Sequence, residues 1–142
     1  MSITVKRVYK KPAPADGTRI LVDRLWPCGL SKSSAAIDHW LRDLAPSDEL
    51  RTWFHSNPGA WVAFRKRYFK ELAREAAASN LEQLHQLAEK RNVTLVFASR
   101  NETHNNAIVL KEFLEGMRKP PTGTGPAAAK GTGPRQAARR PR

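Results

Sequence analysis

Residues 93–101 read Val93-Thr94-Leu95-Val96-Phe97-Ala98-Ser99-Arg100-Asn101. The first five are β-branched or large and apolar with little alternation, the pattern of a short strand covered on both faces. The polar end, Ser99 to Asn101, reads as the loop by which that strand leaves the interior. A second run of the same kind stands upstream as Arg19-Ile20-Leu21-Val22-Asp23, and it runs into Arg24-Leu25-Trp26-Pro27-Cys28-Gly29. Pro27 and Gly29 end regular structure there. The two runs are separated by helical signals, so they are expected to lie parallel in an α/β layer.

The intervening signals follow from spacing. Ser47 is a helix cap with Asp48 and Glu49 in the first turn, and Leu50, Trp53 and Phe54 form the apolar stripe. Asn57-Pro58 predicts a second helix start, followed by Trp61, Phe64, Tyr68 and Leu72 at steps of three and four. Asn80 and Gln83 resemble a capping box before Leu81, Leu84 and Leu87. A last helix over about Thr103–Met117 is predicted from Ala107, Leu110, Leu114 and Met117. Ile3–Tyr9 reads as an opening strand, and Lys10–Thr18 as a loop with an Asp16-Gly17 turn. Ser31–Leu44 is open between a helix and a short edge strand at Ile37–Leu41. The expected fold is therefore α/β: a small single-domain layered sandwich whose mixed, partly parallel sheet begins with a hairpin and is flanked by helices.

Charge divides the chain. Its 142 residues carry 25 Lys and Arg against 13 Asp and Glu, a net charge of +12. Seven of those 25 basic residues, and no acidic one, fall in 118–142; the 18 left against 13 acidic residues give 1–117 only +5. The segment 118–142 is also rich in Pro, Gly and Ala and lacks aromatic residues. Burial cannot offset the entropy lost on ordering it, so a disordered basic tail is expected after a domain over 1–117. Non-specific nucleic-acid binding is one reading of that tail, and a tolerated, solubilising extension is the other. No apolar run reaches the ~18 residues of a membrane span. No secretory leader is read at the start, and one cysteine allows no internal disulfide framework, so a cytoplasmic protein is expected.

Arg24 and Arg100 follow the two central strands. Ligands in parallel sheets bind beyond the carboxyl ends of the strands, and guanidinium forks match carboxylate or phosphate. A small anionic ligand is expected between them, with Asn101, His104 and Asn105 at the start of the last helix as polar neighbours. The competing reading pairs Arg24 internally with Asp23, Asp38 or Glu71. Cys28 is the lone thiol, and a phosphatase-type cradle would need a base six positions on, where Ser34 stands. His39, His55, His85 and His104 show no metal-ligand spacing. Most aromatics sit at helical spacing and read as core rather than as base-stacking platforms; Trp26, in a loop, is the exception and the anchor of a possible partner-binding face. No cofactor follows from the residues.

Asp16-Gly17 followed by Arg19-Ile-Leu-Val-Asp-Arg-Leu-Trp-Pro-Cys-Gly-Leu-Ser-Lys32 resembles the signature of the YeaO-like proteins, part of the class called domain of unknown function 488. Further segments extend the resemblance over about residues 3–117: Asp38-x-Trp40, Leu44-Ala-Pro-Ser-x-Glu-Leu50, Trp53-Phe54-His55, Phe64-x-x-x-Tyr68-x-x-Glu71-Leu72 and Asn105-x-Ala107-x-x-Leu110. It implies a small single-domain α/β protein of bacteria and assigns no activity. The motif positions here include Arg7, Tyr9, Lys32, Tyr68 and Glu71. Cys28 departs from the usual Trp-Pro-Arg-Gly, and Asn106 stands where relatives often carry histidine. Motif and strand ends together give Arg7, Tyr9, Asp23, Arg24, Trp26, Lys32, Arg100, Asn101 and Asn105 as ligand-binding candidates. Asp23, Glu71 and Tyr68 are the candidates for acid–base work.

Overall fold

Val93–Phe97 is buried at every position and forms the fourth strand of a four-stranded sheet. The computed structural model describes residues 2–117. Its strands are β1 (Ile3–Arg7), β2 (Thr18–Leu21), β3 (His39–Trp40) and β4 (Val93–Phe97), in the order β1-β4-β2-β3. All three pairings are parallel. The α/β architecture is as read, whereas the mixed sheet and opening hairpin are not formed. β4 is apolar on both faces and needs a hydrogen-bonded strand on each side. It therefore lies between β1 and β2, with Val5 and Ile20 both opposite Leu95. The chain returns from β1 through a strap containing a 3₁₀ turn at Pro14–Asp16.

The helices are α1 (Lys32–Ala35), α2 (Asp48–Ser56), α3 (Trp61–Leu72), α4 (Glu75–Lys90) and α5 (Asn106–Gly116). One sheet face presents Ile3, Ile20, Val22, Val93, Leu95 and Phe97 to buried residues of α2–α5. The other face presents Leu21 and Val96 to Ala35 and the half-buried Trp26, Leu30, Ile37 and Trp40. The open stretch 31–44 thus becomes a one-turn helix, an edge strand and a 3₁₀ turn.

Three predicted helix starts move. Asn57 ends α2 instead of opening α3: its side-chain amide donates to the Trp53 carbonyl at 2.9 Å, and Ala60 precedes α3. Asn80 lies inside α4, which begins at Glu75 because Ala76, Ala77 and Ala78 carry the helix through a weaker former. Ser47 caps α2 as expected, accepting from the Leu50 amide at 3.1 Å. α5 starts three residues later than predicted, with Asn105 as its cap. The expected tail, 118–142, lies outside the described residues. No helix among the described residues is long and apolar enough to cross a membrane.

Candidate functional site

β2 and β4 are neighbours, yet their chains leave in opposite directions. β2 leads towards β3, while β4 leads into α5, which packs on β1 and β4. A crevice opens at such a switch of direction, beyond the carboxyl ends of the strands. Here it is a cavity of about 590 Å³, walled by residues 23–28 after β2, 98–101 and 104–106 after β4, Tyr9, Pro46, Phe64 and the Arg51, Phe54 and His55 of α2.

Asp23 is part of its lining, and both of its carboxylate oxygens are held. One carboxylate oxygen accepts from the Ala98 amide at 2.8 Å, and the other from the Asn106 side-chain amide at 3.0 Å. The same Asn106 group donates to the Val22 carbonyl at 3.0 Å. Burial raises the Asp23 pKa above its ordinary value, against the lowering effect of those two hydrogen bonds.

Arg24 and Arg100 both line this cavity. The Arg24 Nε donates to the Pro46 carbonyl at 3.2 Å and lies 3.8 Å from the Asp48 carboxylate. Asp48 is exposed and also lies 3.5 Å from Arg51, so it is shared. Asp23, Asp38 and Glu71 form no ion pair with Arg24. Arg100 is exposed and has no hydrogen-bond or ion-pair partner among the described residues. Three guanidinium groups therefore surround one recess, and the nearest carboxylate to two of them is solvated.

The other expected residues divide. Tyr9, Trp26, Asn101 and Asn105 line the cavity. Tyr9 ties two loops together, its hydroxyl donating to the Cys28 carbonyl at 2.8 Å. Trp26 is fixed by its N–H to the Leu30 carbonyl at 2.7 Å and by an edge contact with Trp40 at 5.5 Å. Asn101 accepts from the amides of Thr103 and His104, and the Asn105 amide is engaged by Ile108 and Asn101. Arg7 and Lys32 do not line it. Arg7 braces the β4 exit by donating to the Ser99 carbonyl at 3.0 Å, and Lys32 opens α1 on the surface.

Of the acid–base candidates, only Asp23 borders the cavity. Glu71 accepts from the Ser47 amide at 2.8 Å and the Ser47 hydroxyl at 2.6 Å, which anchors the start of α2. Tyr68 is buried and donates to the Leu44 carbonyl. Burial, with the Asp23 and Glu71 charges, drives its pKa well above the usual tyrosine value, so the phenol stays protonated at neutral pH.

Sequence reasoning missed Arg51, Phe54 and His55 as neighbours of the recess, whereas His104, expected beside it, does line it. Arg51 and His55 stand four apart on α2, a signal that they share a helix face. His104 lies over Trp61 at 4.4 Å, nearly coplanar at 11°; no local pattern foretells that contact across 43 positions. Cys28 is exposed and also lines the cavity. No cluster of potential metal ligands occurs among the described residues.

A family model described as the inactive DUF488-N3 subclade matches residues 2–128. The chain belongs to the DUF488 family. It is 40% identical over 117 residues to the uncharacterized protein YeaO of Escherichia coli (strain K12), covering 82% of this chain and all of that protein. It is 41% identical over 114 residues to the uncharacterized protein Rv3073c of Mycobacterium tuberculosis (strain ATCC 25618 / H37Rv), covering 80% of this chain and 94% of that one. No solved structure matches the chain. In this DUF488 domain the matched stretch includes every residue that lines the cavity.

Proposed function

We propose that this DUF488 domain is a receptor for a small anionic ligand, held beyond the carboxyl ends of β2 and β4, and that it binds without turning its ligand over. One observation carries the reading: Arg24 and Arg100 border the same cavity, and neither donates a hydrogen bond to a carboxylate among the described residues. Guanidinium groups left open around a recess favour a phosphate or carboxylate. The absence of turnover is supported by the commitments of Glu71 to Ser47 and of Tyr68 to Leu44, which leave Asp23 as the one of those three acid–base candidates at the cavity, beside His55, His104 and Cys28. The description of the matching subclade as inactive supports it too. A cytoplasmic location belongs to the same reading, with one exposed free thiol suited to a reducing compartment.

A thermal-shift screen of the whole chain over phosphates, nucleotides and organic acids tests it. A true ligand stabilises by about 2.7 kcal/mol at 100 times its dissociation constant. Arg24→Ala and Arg100→Ala each cut that gain to about half or less. Silence of the wild-type chain towards every anion sinks the reading.

A second reading is nucleic-acid association through 118–142. Lys66, Arg67 and Lys70 on α3, and Arg74 after it, favour it: all are exposed and without an ion-pair partner among the described residues. Binding would then be steep in salt and shallower after truncation at Met117. Equal DNA affinity with and without the segment counts against it.

A further inference from the structure

We infer that the ligand of this cavity is a nucleoside monophosphate, its base lying against the aromatic walls and its phosphate among the arginines. The inference rests on the anion-receptor reading above and names the ligand class. Size speaks first. A cavity of about 590 Å³ lies in the range that encloses whole organic ligands, and a bare phosphate or small carboxylate would leave most of it to water.

The walls speak next. Trp26, Phe54 and His104 come from three separate segments and all border the space. Each ring is fixed before any ligand arrives. Trp26 is held by Leu30 and Trp40, Phe54 stacks on Phe64 at 4.2 Å, and His104 stacks on Trp61 at 4.4 Å. Rings already immobilised bind a flat partner with little loss of side-chain entropy. A purely aliphatic or sugar phosphate would leave those surfaces without a planar counterpart.

The polar groups complete the pattern. Arg24, Arg51 and Arg100 supply guanidinium donors for a phosphate. Asp23 accepts one hydrogen bond on each carboxylate oxygen from Ala98 and Asn106. A carboxylate has about four acceptor positions, so two are left for an O–H or N–H of the ligand. An unprotonated phosphate oxygen cannot use them, whereas a ribose hydroxyl or a base amino group can. One molecule that carries a phosphate, hydroxyl or amino donors and a flat ring meets all three demands.

Isothermal titration of the full chain tests this with inorganic phosphate, ribose 5-phosphate, the four common nucleoside monophosphates and their nucleosides. At least one monophosphate is expected to bind about fivefold or more tightly than ribose 5-phosphate, the least that base–aromatic stacking supplies. His104→Ala should bring that nucleotide towards the ribose 5-phosphate level and leave inorganic phosphate unchanged; Trp26→Phe, which keeps a ring, should retain most of the preference. Ribose 5-phosphate binding as tightly as every nucleotide overturns the inference and leaves the anion reading standing. A nucleoside binding as tightly as its monophosphate overturns both; no binding by any phosphate compound overturns the inference, and it overturns the anion reading as well when organic acids are equally silent. A 5′-phosphorylated trinucleotide separates the sources: matching affinity assigns the site to a chain end, and weaker binding assigns it to the free nucleotide.

Discussion

The two ends of the sheet use the same residue types to opposite effect. Near the amino ends of β2 and β4, Asp16 accepts from Lys6 at 3.0 and 3.1 Å, from Arg19 at 2.7 Å and from the Ala13 amide at 3.0 Å. Arg19 also donates through Nε and Nη2 to the carbonyls of Ala35 and Ala36. Both side chains are almost wholly buried, and the network is closed. At the carboxyl ends, Arg100 has no partner among the described residues and Arg24 has one carbonyl and a distant, shared carboxylate. A closed network holds the chain together, whereas an open one around a cavity keeps its donors available to a ligand.

The largest expected effect tests the closed end. Asp16→Ala leaves the Arg19 guanidinium buried without a counter-charge and should cost about 3–5 kcal/mol in urea unfolding. Arg100→Ala, at the open end, should stay within about 0.5 kcal/mol. Equal costs at the two ends would erase the distinction. Gly17 belongs to the closed end as well. Its φ is +65°, and a Cβ there would stand 2.4 Å from the Asn92 carbonyl oxygen. Gly17→Ala should therefore cost at least the 1–3 kcal/mol typical of such strain, read by the same unfolding curve.

The next effect reverses the comparison. With ligand present, Arg24→Ala and Arg100→Ala should each weaken binding by about 1.5–3 kcal/mol, the worth of a hydrogen bond to a charged group. Asp16→Asn should leave the affinity of the folded fraction unchanged. An affinity loss confined to Asp16→Asn would place the binding function at the wrong end of the sheet.

How much of this was legible beforehand depended on the range of the interaction. β4 declared itself because five successive residues are suited to burial on both faces. Arg24 and Arg100 were legible as neighbours because each directly follows such a run. Strand order was not, because β1 and β2 are adjacent in sequence and only the need to pair β4 on both sides separates them. Asn57 and Asn80 misled for a related reason: asparagine caps either end of a helix, and neighbours such as Ala76–Ala78 decide. The Glu71–Ser47 contact spans 24 positions and the His104–Trp61 contact 43, so neither leaves a local trace.

Acidity separates the ends again. At Asp16, burial pushes the pKa up, but the Ala13 amide, Lys6 and Arg19 outweigh it and hold the carboxyl below its ordinary 3.8. Its contribution is present above that value and is lost as pH falls through the folded pKa. At Asp23 the folded pKa is raised from 3.8. Its contribution is present below 3.8 and is lost as pH rises through the folded value. Stability measured against pH should show this directly. Asp16→Asn flattens the acid limb below about pH 3.8, while Asp23→Asn gains on the wild-type chain as pH rises from there. A parallel response of the two variants would contradict the opposite shifts.

The smallest effect concerns how the open end keeps its shape. Arg7 and Tyr9, both from the β1 exit, each hold a carbonyl of a different cavity loop: Ser99 after β4 and Cys28 after β2. The Arg7 guanidinium also lies over the Tyr9 ring, 4.8 Å from its centre. These two side chains span the loops that carry Arg100 and Arg24. Tyr9→Phe keeps the ring and the cation–π contact and removes only the hydrogen bond to Cys28. Such a bond is worth about 0.5–1.5 kcal/mol, and at an exposed position the lower figure applies. Global stability should therefore hardly move. Ligand affinity should fall by a few-fold at most, because the β2 loop loses one of its ties while every guanidinium remains. A Tyr9→Phe loss as large as that of Arg24→Ala would mean that loop position, rather than charge, controls the site.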